Sequence, residues 1–468
     1  MIPFFPRKIA IRAVFIYVIA LSLVSVLFLR FAMPFWRMGL GLAFVCGFFL
    51  LTALWSKGWI RHPEKRFAGL LFGIAVSLRI VWVVASFFFY MKVNGNPFEF
   101  AAADSEGYHE FAEDMTPESW SFVWEYLHQP GISDVSDMGY PLYLTFLYKC
   151  FGTGIIIPRL IKCLLSAWMC ILVYRLSART FGEHVGRMAG LMCCLMPNLI
   201  IYCGYHLKET EMLFLEVAFL ERLDNVIRNR SFHFWDVFPP LLLAASLFFF
   251  RTVLGAVAVM AFVSALVFIN IPTMKKQGRR IVLITWSALA IFFAVGTTII
   301  SEVELFWEQR NENVVQKRDS QVAKGIKWAK YATGTVMAPM IVALPFSTMV
   351  VTEGQESQIT RHGGNYCRNF MAFFAVLAII EALRQKKWRN FALIGTFTIG
   401  YLGIISVSGF SNSERFLLPG LPGLIMMWAY GISELNIKSY KFLTPWCVIV
   451  VIMELSWAYF KLGSRGLF

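Results

Sequence analysis

The chain has 468 residues, of which 58% are hydrophobic and 15% are charged, and its formal net charge is +14. Soluble domains are about 45–50% apolar and about 25% charged, so the composition excludes a soluble enzyme and a disordered, fibrous or disulfide-rich secreted chain. Runs such as 68–91 and 281–300 match the roughly 20 apolar residues that cross a bilayer. We therefore predict an all-α polytopic membrane protein, whose positive charge reflects membrane topology and no nucleic-acid partner.

Basic residues mark the cytoplasmic ends of membrane spans, and this rule predicts about thirteen transmembrane helices with the N-terminus inside and the C-terminus outside. In chain order we expect an N-terminal three-helix segment, a first external loop, membrane core helices, a second external loop that binds lipid phosphate, and C-terminal helices. These regions cover residues 1–92, 93–158, 159–300, 301–368 and 369–468.

The first external loop has a strongly one-sided charge. Between Asn94 and Gly139 it has ten Asp and Glu residues and no Lys or Arg, which is typical of a segment translocated to the outer face. The apolar stretch Tyr140–Phe151 that follows is too short to span a bilayer. We expect it to form a juxtamembrane helix that lies on, or dips into, the outer leaflet.

Two later segments break the simple alternation of spans and loops. The apolar tract 237–271 is too long for one span, and a split at Arg251–Thr252 places Arg251 outside. The short apolar segment 337–351 is predicted to form half a helix. Before it, the stretch 310–330 carries six basic residues on the outer side, namely Arg310, Lys317, Arg318, Lys324, Lys327 and Lys330. This favours contact with a lipid phosphate or pyrophosphate, although long loops also cross membranes regardless of charge.

Asp104 is the leading candidate for catalysis. It lies in the first external loop, and Tyr108, four residues later, shares its face if the segment is helical. A carboxylate held at the outer surface can act as general base on an acceptor hydroxyl or amine. Alternatively, Asp104 caps the helix that follows, because Asp is a favoured N-cap residue.

An ordered set of motifs between about residues 90 and 425 resembles the GT-C class of integral-membrane glycosyltransferases, especially the branch of protein O-mannosyltransferases and aminoarabinose transferases. The D-E-x-x-Y-like pattern of that branch is matched by Asp104, Glu106 and Tyr108, with the Glu shifted by one residue. The later motifs are Pro141, Tyr143 and Phe151-Gly152; Arg159 with Arg179-Thr180-Phe181-Gly182; Pro197 with Lys208-Glu209-Thr210-Glu211; and Glu414-Arg415-Phe416-Leu417-Leu418-Pro419.

The resemblance implies transfer of a sugar from a polyprenyl-phosphate carrier to a glycan, lipid or protein acceptor, with inversion and with Asp104 as base. The substrate-binding residues it suggests are Glu106, Tyr108, Tyr140, Tyr143, Arg159, His206, Glu209 and Glu211. Negative charge develops on the phosphate as it leaves, so cations must face it. The candidates are Lys208, Arg251, Arg361, Arg368 and Arg415. Arg251 could instead be a helix end whose side chain reaches the interface.

Metal dependence is left open by the sequence, and no cofactor is predicted with certainty. Asp104, Glu209 and Glu211 would suit Mg²⁺ or Mn²⁺, as acidic residues do in the similar oligosaccharyltransferase branch. Lys208 beside them supplies a rival charge. Alternatively, Glu209 and Glu211 stand at the start of a helix, where the helix dipole favours carboxylates.

Two other functions remain as alternatives. A polysaccharide polymerase or ligase, or an oligosaccharyltransferase-like enzyme, would use a polyprenyl-diphosphate donor on the same face. A transporter or flippase should show internal repeats, which the sequence does not display. We expect a multi-pass protein of a bacterial inner membrane with its active site on the periplasmic face. Arg79, inside the third predicted span, should face the helix bundle and pair there, with Glu216 as its candidate partner.

Overall fold

The computed structural model describes residues 2–127, 135–229, 234–268, 340–352, 354–406, 413–463 and 465–467. The predicted span 281–300 and the basic stretch 310–330 lie outside these residues. Through the described part we number the α-helices in chain order. They are α1 (Arg7–Leu27), α2 (Phe35–Cys46), α3 (Thr52–Gly58), α4 (Glu64–Asn94), α5 (Ala103–Asp114), α6 (Trp120–Leu127), α7 (Val135–Phe151), α8 (Ile156–Phe181), α9 (Glu183–Leu195), α10 (Pro197–Ile201), α11 (Glu209–Asn229), α12 (Phe234–Phe250), α13 (Thr252–Phe268), α14 (Glu356–Thr360), α15 (His362–Arg384), α16 (Trp388–Ser406), α17 (Glu414–Leu417), α18 (Leu421–Ser433), α19 (Ile437–Tyr440) and α20 (Leu443–Gly463).

Seven helical stretches within the described ranges are long and apolar enough to cross a membrane. They are Arg7–Leu27, Phe35–Arg61, Glu64–Asn94, Ile156–Phe181, His362–Arg384, Glu414–Ser433 and Ile437–Gly463. An eighth candidate is the pair α9 and α10, bent by 51°, and α12 and α13 are shorter apolar helices. The predicted all-α polytopic membrane fold is confirmed, whereas these residues do not establish the predicted number of spans.

The long apolar tract divides at Arg251, as the sequence predicts. Helix α12 ends at Phe250 and α13 begins at Thr252, and the two helices pack against each other. Helix α12 also packs on α7, the predicted juxtamembrane helix, which begins at Val135. At that crossing a Cβ on Gly139 would lie 2.7 Å from the carbonyl oxygen of Phe249. Only glycine allows this approach, which brings the first loop (residues 93–158) beside Arg251.

Arg79 stabilises the bend between α9 and α10. Pro197 has no N–H group, so the Cys193 carbonyl loses its usual helical partner. Arg79 supplies the missing donors, with Nη2 3.3 Å from the Cys193 oxygen and Nη1 3.2 Å from the Cys194 oxygen. Its Nε donates to Ser166 Oγ at 2.7 Å. The proposed pairing of Arg79 with Glu216 was therefore wrong, because carbonyl groups freed at the proline break satisfy the guanidinium instead.

The described part of the second short apolar segment, residues 340–352, contains no α-helix, so the prediction of half a helix was wrong there. Val350 instead forms a β-bridge with Ala32, and the Val351 N–H donates to the Phe31 carbonyl at 2.8 Å. The Asn369 amide donates to the carbonyls of Ala343 at 2.5 Å and Pro345 at 2.9 Å. Tertiary hydrogen bonds thus replace helical ones around a proline that cannot donate.

Candidate active site

Asp104 lies in the first turn of α5 and does not cap that helix. The N-cap position is Ala102, which makes no side-chain cap, so the N-cap interpretation of Asp104 was wrong. A carboxylate in the first turn is favoured by the helix dipole. Tyr108 follows one turn later on the same helix, as the spacing predicts. The Asp104 side chain is 61% exposed, so it remains accessible to a substrate.

Arg415 joins Asp104 to Glu209 across the site. Its Nη1 donates to Asp104 Oδ2 and its Nε donates to Glu209 Oε1. The Glu209 side chain is fully buried at the start of α11, whereas Arg415 is 21% exposed on the short helix α17. Three motifs that lie far apart in the chain therefore meet at one guanidinium group.

Arg251 approaches the same glutamate from the turn between α12 and α13. Its Nη2 lies 3.6 Å from Glu209 Oε1, and its Nη1 donates to the Tyr401 hydroxyl at 3.2 Å. The guanidinium carbon stands 4.7 Å from the centre of the Phe416 ring. Because its side chain is buried among these groups, Arg251 faces the interior of the site and is not a helix end reaching for the interface.

Lys208 pairs with a carboxylate that the sequence motifs do not include. Its Nζ contacts Asp137 Oδ1, and the Tyr108 hydroxyl donates to the same oxygen at 3.4 Å. Burial lowers the pKa of Lys208 despite Asp137, and burial raises the pKa of Tyr108. Asp137 is 48% exposed and Lys208 only 5%. The first loop thus supplies a second carboxylate, Asp137, which pairs with the buried Lys208 at the rim of the site.

A second buried ion pair lies beside the first. Lys162 Nζ is 3.6 Å from Glu211 Oε2 and 5.0 Å from the centre of the Tyr140 ring. It also donates to the backbone carbonyls of Tyr205 (2.9 Å) and Leu207. The Tyr140 ring centre lies 5.0 Å from that of Tyr108, and Tyr143 continues the same row at 6.2 Å. Lys162 was not predicted as a site residue, because it lies within the predicted membrane core helices.

His206 sits in the aromatic part of the same region. Its Nε2 is 3.2 Å from the Tyr148 hydroxyl, which is also 2.7 Å from His109 Nδ1. Burial, with the nearby cations of Lys162 and Arg159, lowers the pKa of His206 well below its ordinary value, so the ring is neutral. Arg159 donates to the Pro97 carbonyl at 3.0 Å.

The remaining predicted residues make contacts that do not include Asp104. Glu106 accepts a hydrogen bond from Asn96 at 3.0 Å within the first loop. Arg361 forms an ion pair with Glu414 at 2.7 Å, and Glu414 also accepts from Asn198 at 2.5 Å. The buried Arg368 donates to the Leu417 carbonyl at 3.2 Å. Arg361 and Arg368 therefore belong to a polar cluster around Glu414.

Asp104, Glu209 and Glu211 do not fit a divalent cation in this arrangement. Arg415 lies between Asp104 and Glu209, where a metal ion would have to stand, and Lys162 faces Glu211. Among the residues that the structure describes, no group of three or more His, Cys, Asp or Glu side chains is placed to hold a metal ion. We assign no step of the reaction to Mg²⁺ or Mn²⁺.

Comparison with known proteins finds similarity to membrane glycosyltransferases. Residues 108–314, less than half of the chain, match the model of the Alg9-like mannosyltransferase family. No curated protein sequence matches the chain. One similar solved structure is the archaeal oligosaccharyltransferase AglB from Archaeoglobus fulgidus, in complex with an inhibitory peptide and a dolichol-phosphate, at 12% identity and a TM-score of 0.48. The similarity covers 87% of this chain and 56% of that one.

The family match bears directly on the resemblance drawn from the motifs. It confirms the GT-C class and, with it, the prediction of a glycosyltransferase of a multi-pass membrane type. The matched residues begin at Tyr108 and so leave out Asp104. The role of Asp104 therefore depends on the geometry alone.

Proposed function

We propose that this protein transfers a sugar from a polyprenyl-phosphate-linked donor to an acceptor, with inversion at the anomeric carbon and with Asp104 as general base. The observation that carries the proposal is the double ion pair of Arg415 with Asp104 and Glu209. It joins an exposed carboxylate, suited to accept a proton, to buried cations, suited to face a phosphate. A lipid-phosphate-sugar transfer needs both groups in one site.

The proposed reaction uses the Asp104 carboxylate and the buried cations in different roles. Asp104 takes the proton of the acceptor hydroxyl or amine as its oxygen or nitrogen forms a bond to the anomeric carbon. The bond from that carbon to the phosphate oxygen breaks, and its electron pair leaves with the polyprenyl phosphate. Because the acceptor enters opposite the leaving phosphate, the configuration inverts.

The cations act on the leaving group. Arg415 and Arg251 both face Glu209, and Lys208 precedes it in the chain. Donors fixed where negative charge develops stabilise the transition state more than the ground state. A donor phosphate would also compete with Asp104 for Arg415, which would leave the Asp104 carboxylate available to the acceptor.

The remaining parts of the proposal concern place and partners. The acidic first loop has no Lys or Arg between Asn94 and Gly139, which supports an active site on the outer, periplasmic face of a bacterial inner membrane. The acceptor would be a glycan, a lipid or a protein at that face. The exposed aromatic residues of α6, Trp120, Phe122 and Trp124, suit the membrane interface beside it.

The decisive experiment uses purified full-length protein and a short-chain polyprenyl-phosphate mannose. Asp104→Asn should lower the rate of donor consumption by about 10²–10⁴-fold, the usual contribution of a general base. Binding of the donor should remain, because the cations are intact. Asp114→Asn is the matched control, because Asp114 is exposed at the far end of the same helix. A fully active Asp104→Asn protein would remove the catalytic assignment, and mass spectrometry of copurifying lipid would identify the natural sugar.

A further inference from the structure

Several buried polar atoms surround His206 without a hydrogen-bond partner in the described part of the chain. They include Arg159 Nε and Nη1, the Tyr140 hydroxyl and His206 Nδ1. All three side chains are fully buried. Buried polar groups in native proteins are nearly always satisfied, and exceptions tend to mark places where a ligand or water binds.

These atoms belong to one cluster, which we call the His206 cluster. Its members are Glu99, Tyr140, Arg159, Lys162, His206 and Glu211. The rings of Tyr140 and His206 lie 6.3 Å apart, and Lys162 Nζ lies 5.0 Å from the Tyr140 ring. The Phe98 ring connects the other side, at 6.3 Å from His206 and 6.0 Å from the Arg159 guanidinium.

Comparison with Arg79 shows that a fully buried arginine can satisfy its donors within this fold, whereas Arg159, like Arg368, has two nitrogens without a hydrogen bond to the described residues. Arg79 is also fully buried, yet its Nε and both terminal nitrogens make hydrogen bonds, among them to Ser166 and to the carbonyls of Cys193 and Cys194. Arg159 uses one nitrogen, toward the Pro97 carbonyl. The unused donors of Arg159 therefore point to a partner outside the described chain.

The composition of the His206 cluster selects the chemistry of that partner. It combines two basic side chains, Arg159 and Lys162, with two acidic ones, Glu99 and Glu211, around a neutral His206. A phosphate would meet the carboxylates, and an ammonium group would meet the two cations. An uncharged ring with several hydroxyl groups can both donate and accept there, and its C–H faces can pack on the aromatic rings.

We propose that the His206 cluster recognises one uncharged, hydroxyl-rich sugar ring of the substrate. This inference rests on the proposed sugar transfer and deepens it, because it places sugar selection beside Lys162 and Glu211 and phosphate binding at Arg415. The ring belongs either to the donor or to an acceptor glycan. Both sources offer the same chemistry, and the experiment below separates them.

The test measures binding to the full-length protein of two probes, short-chain polyprenyl-phosphate mannose and soluble mannobiose, with the bare carrier phosphate as reference. Tyr140→Phe and Glu211→Gln should each weaken one of the two sugar probes by about tenfold, the effect of one lost hydrogen bond. The bare carrier should bind as to the unmodified protein. Loss for the lipid-linked mannose identifies the donor ring, and loss for mannobiose identifies an acceptor ring.

The matched control is Tyr430→Phe, because that hydroxyl is also buried without a hydrogen bond but lies near Phe181 and Phe391, away from the cluster. Unchanged binding of both sugar probes to Tyr140→Phe and Glu211→Gln would overturn the proposal. So would tighter binding of a donor that carries an amino sugar or a uronic acid. If Asp104→Asn still abolishes transfer in either case, the sugar-transfer function stands while the His206 cluster loses its role.

Discussion

Arg79 and Arg415 show two different ways of holding a guanidinium group in this protein. Arg79 is fully buried and donates to one hydroxyl, one thiol and three backbone carbonyls. Arg415 faces two carboxylates, Asp104 and Glu209, from the first turns of two other helices, α5 and α11. Backbone carbonyls at a helix end are fixed partners, whereas an exposed carboxylate can turn away. The first arrangement suits a permanent structural role, and the second suits an arginine that exchanges partners.

The largest effect on stability that we expect concerns the fixed partners. Arg79→Ala should lower the free energy of unfolding by on the order of 3 kcal/mol, because two buried carbonyls lose their donors at about 1–3 kcal/mol each. Thermal unfolding of the detergent-solubilised protein measures this loss. Arg66→Ala is the control, because Arg66 is exposed on the same helix.

The cause of that loss can be isolated with a second substitution. Pro197→Ala restores an N–H group that can donate to the Cys193 carbonyl. It should therefore recover part of the stability lost by Arg79→Ala, although it costs stability in the unmodified protein. No recovery in the double variant would show that Arg79 does not serve the proline break.

The next effect concerns the exchangeable partners. Arg415→Ala should lower kcat/KM for the lipid-linked donor by about 10²–10³-fold, the usual effect of removing a group that stabilises transition-state charge. Its unfolding temperature should fall less than that of Arg79→Ala. Arg415→Lys should restore part of the activity, because a lysine keeps the charge but not the two-pronged geometry. Arg384→Ala, at a side chain that is 70% exposed, should match the unmodified protein in both measurements.

A smaller effect, toward tighter binding, concerns the ion pair of Lys208 with Asp137. If the site cations exchange carboxylates for phosphate, Asp137→Asn should remove a carboxylate that competes for Lys208 and so tighten binding of the bare carrier phosphate. Because Asp137 is 48% exposed, we expect this ion pair to be worth up to about 1 kcal/mol, which corresponds to about fivefold in Kd. Weaker binding, measured by titration with the carrier phosphate, would show that Asp137 holds Lys208 in place instead of competing for it.

A further effect is a dependence of stability on pH through His206. Its pKa in the folded protein is well below the value of about 6.5 that an unfolded histidine has. The unfolded chain therefore binds more protons as the pH falls below about 6.5, and stability falls with it. His206→Asn should reduce this slope between about pH 6.5 and 5, by at most about 1.4 kcal/mol per pH unit. An unchanged slope in thermal unfolding would show that another group is responsible.

From the sequence motifs alone, it could be predicted which residues share one site. The motifs predicted that Asp104, Glu209 and Arg415 serve one site, and the structure brings these three side chains into contact. The division of the long apolar tract at Arg251 was also predicted correctly. Both results follow from topology, because loops assigned to one side of a membrane have few places to meet.

Other features could not be predicted because they depend on tertiary contacts alone. Asp137 was one of ten acidic residues in the first loop, and only the packing of α7 shows that it faces Lys208. Lys162 has the sequence context of a span residue, and only the structure shows that it donates to a carbonyl of the loop before α11. Arg79 was assigned a charged partner because carbonyl groups freed by a proline on another helix leave no mark in the sequence. Residues 340–352 were apolar enough for a helix but take their hydrogen bonds from neighbouring segments.

The contact of Gly139 with the Phe249 carbonyl sets the spacing between the first loop and the turn that carries Arg251. Gly139 stands two residues after Asp137 and one before Tyr140, and Phe249 stands two residues before Arg251. A methyl group on residue 139 would push Asp137 and Tyr140 away from Arg251. The absence of a Cβ atom at Gly139 thus helps to determine the dimensions of the site.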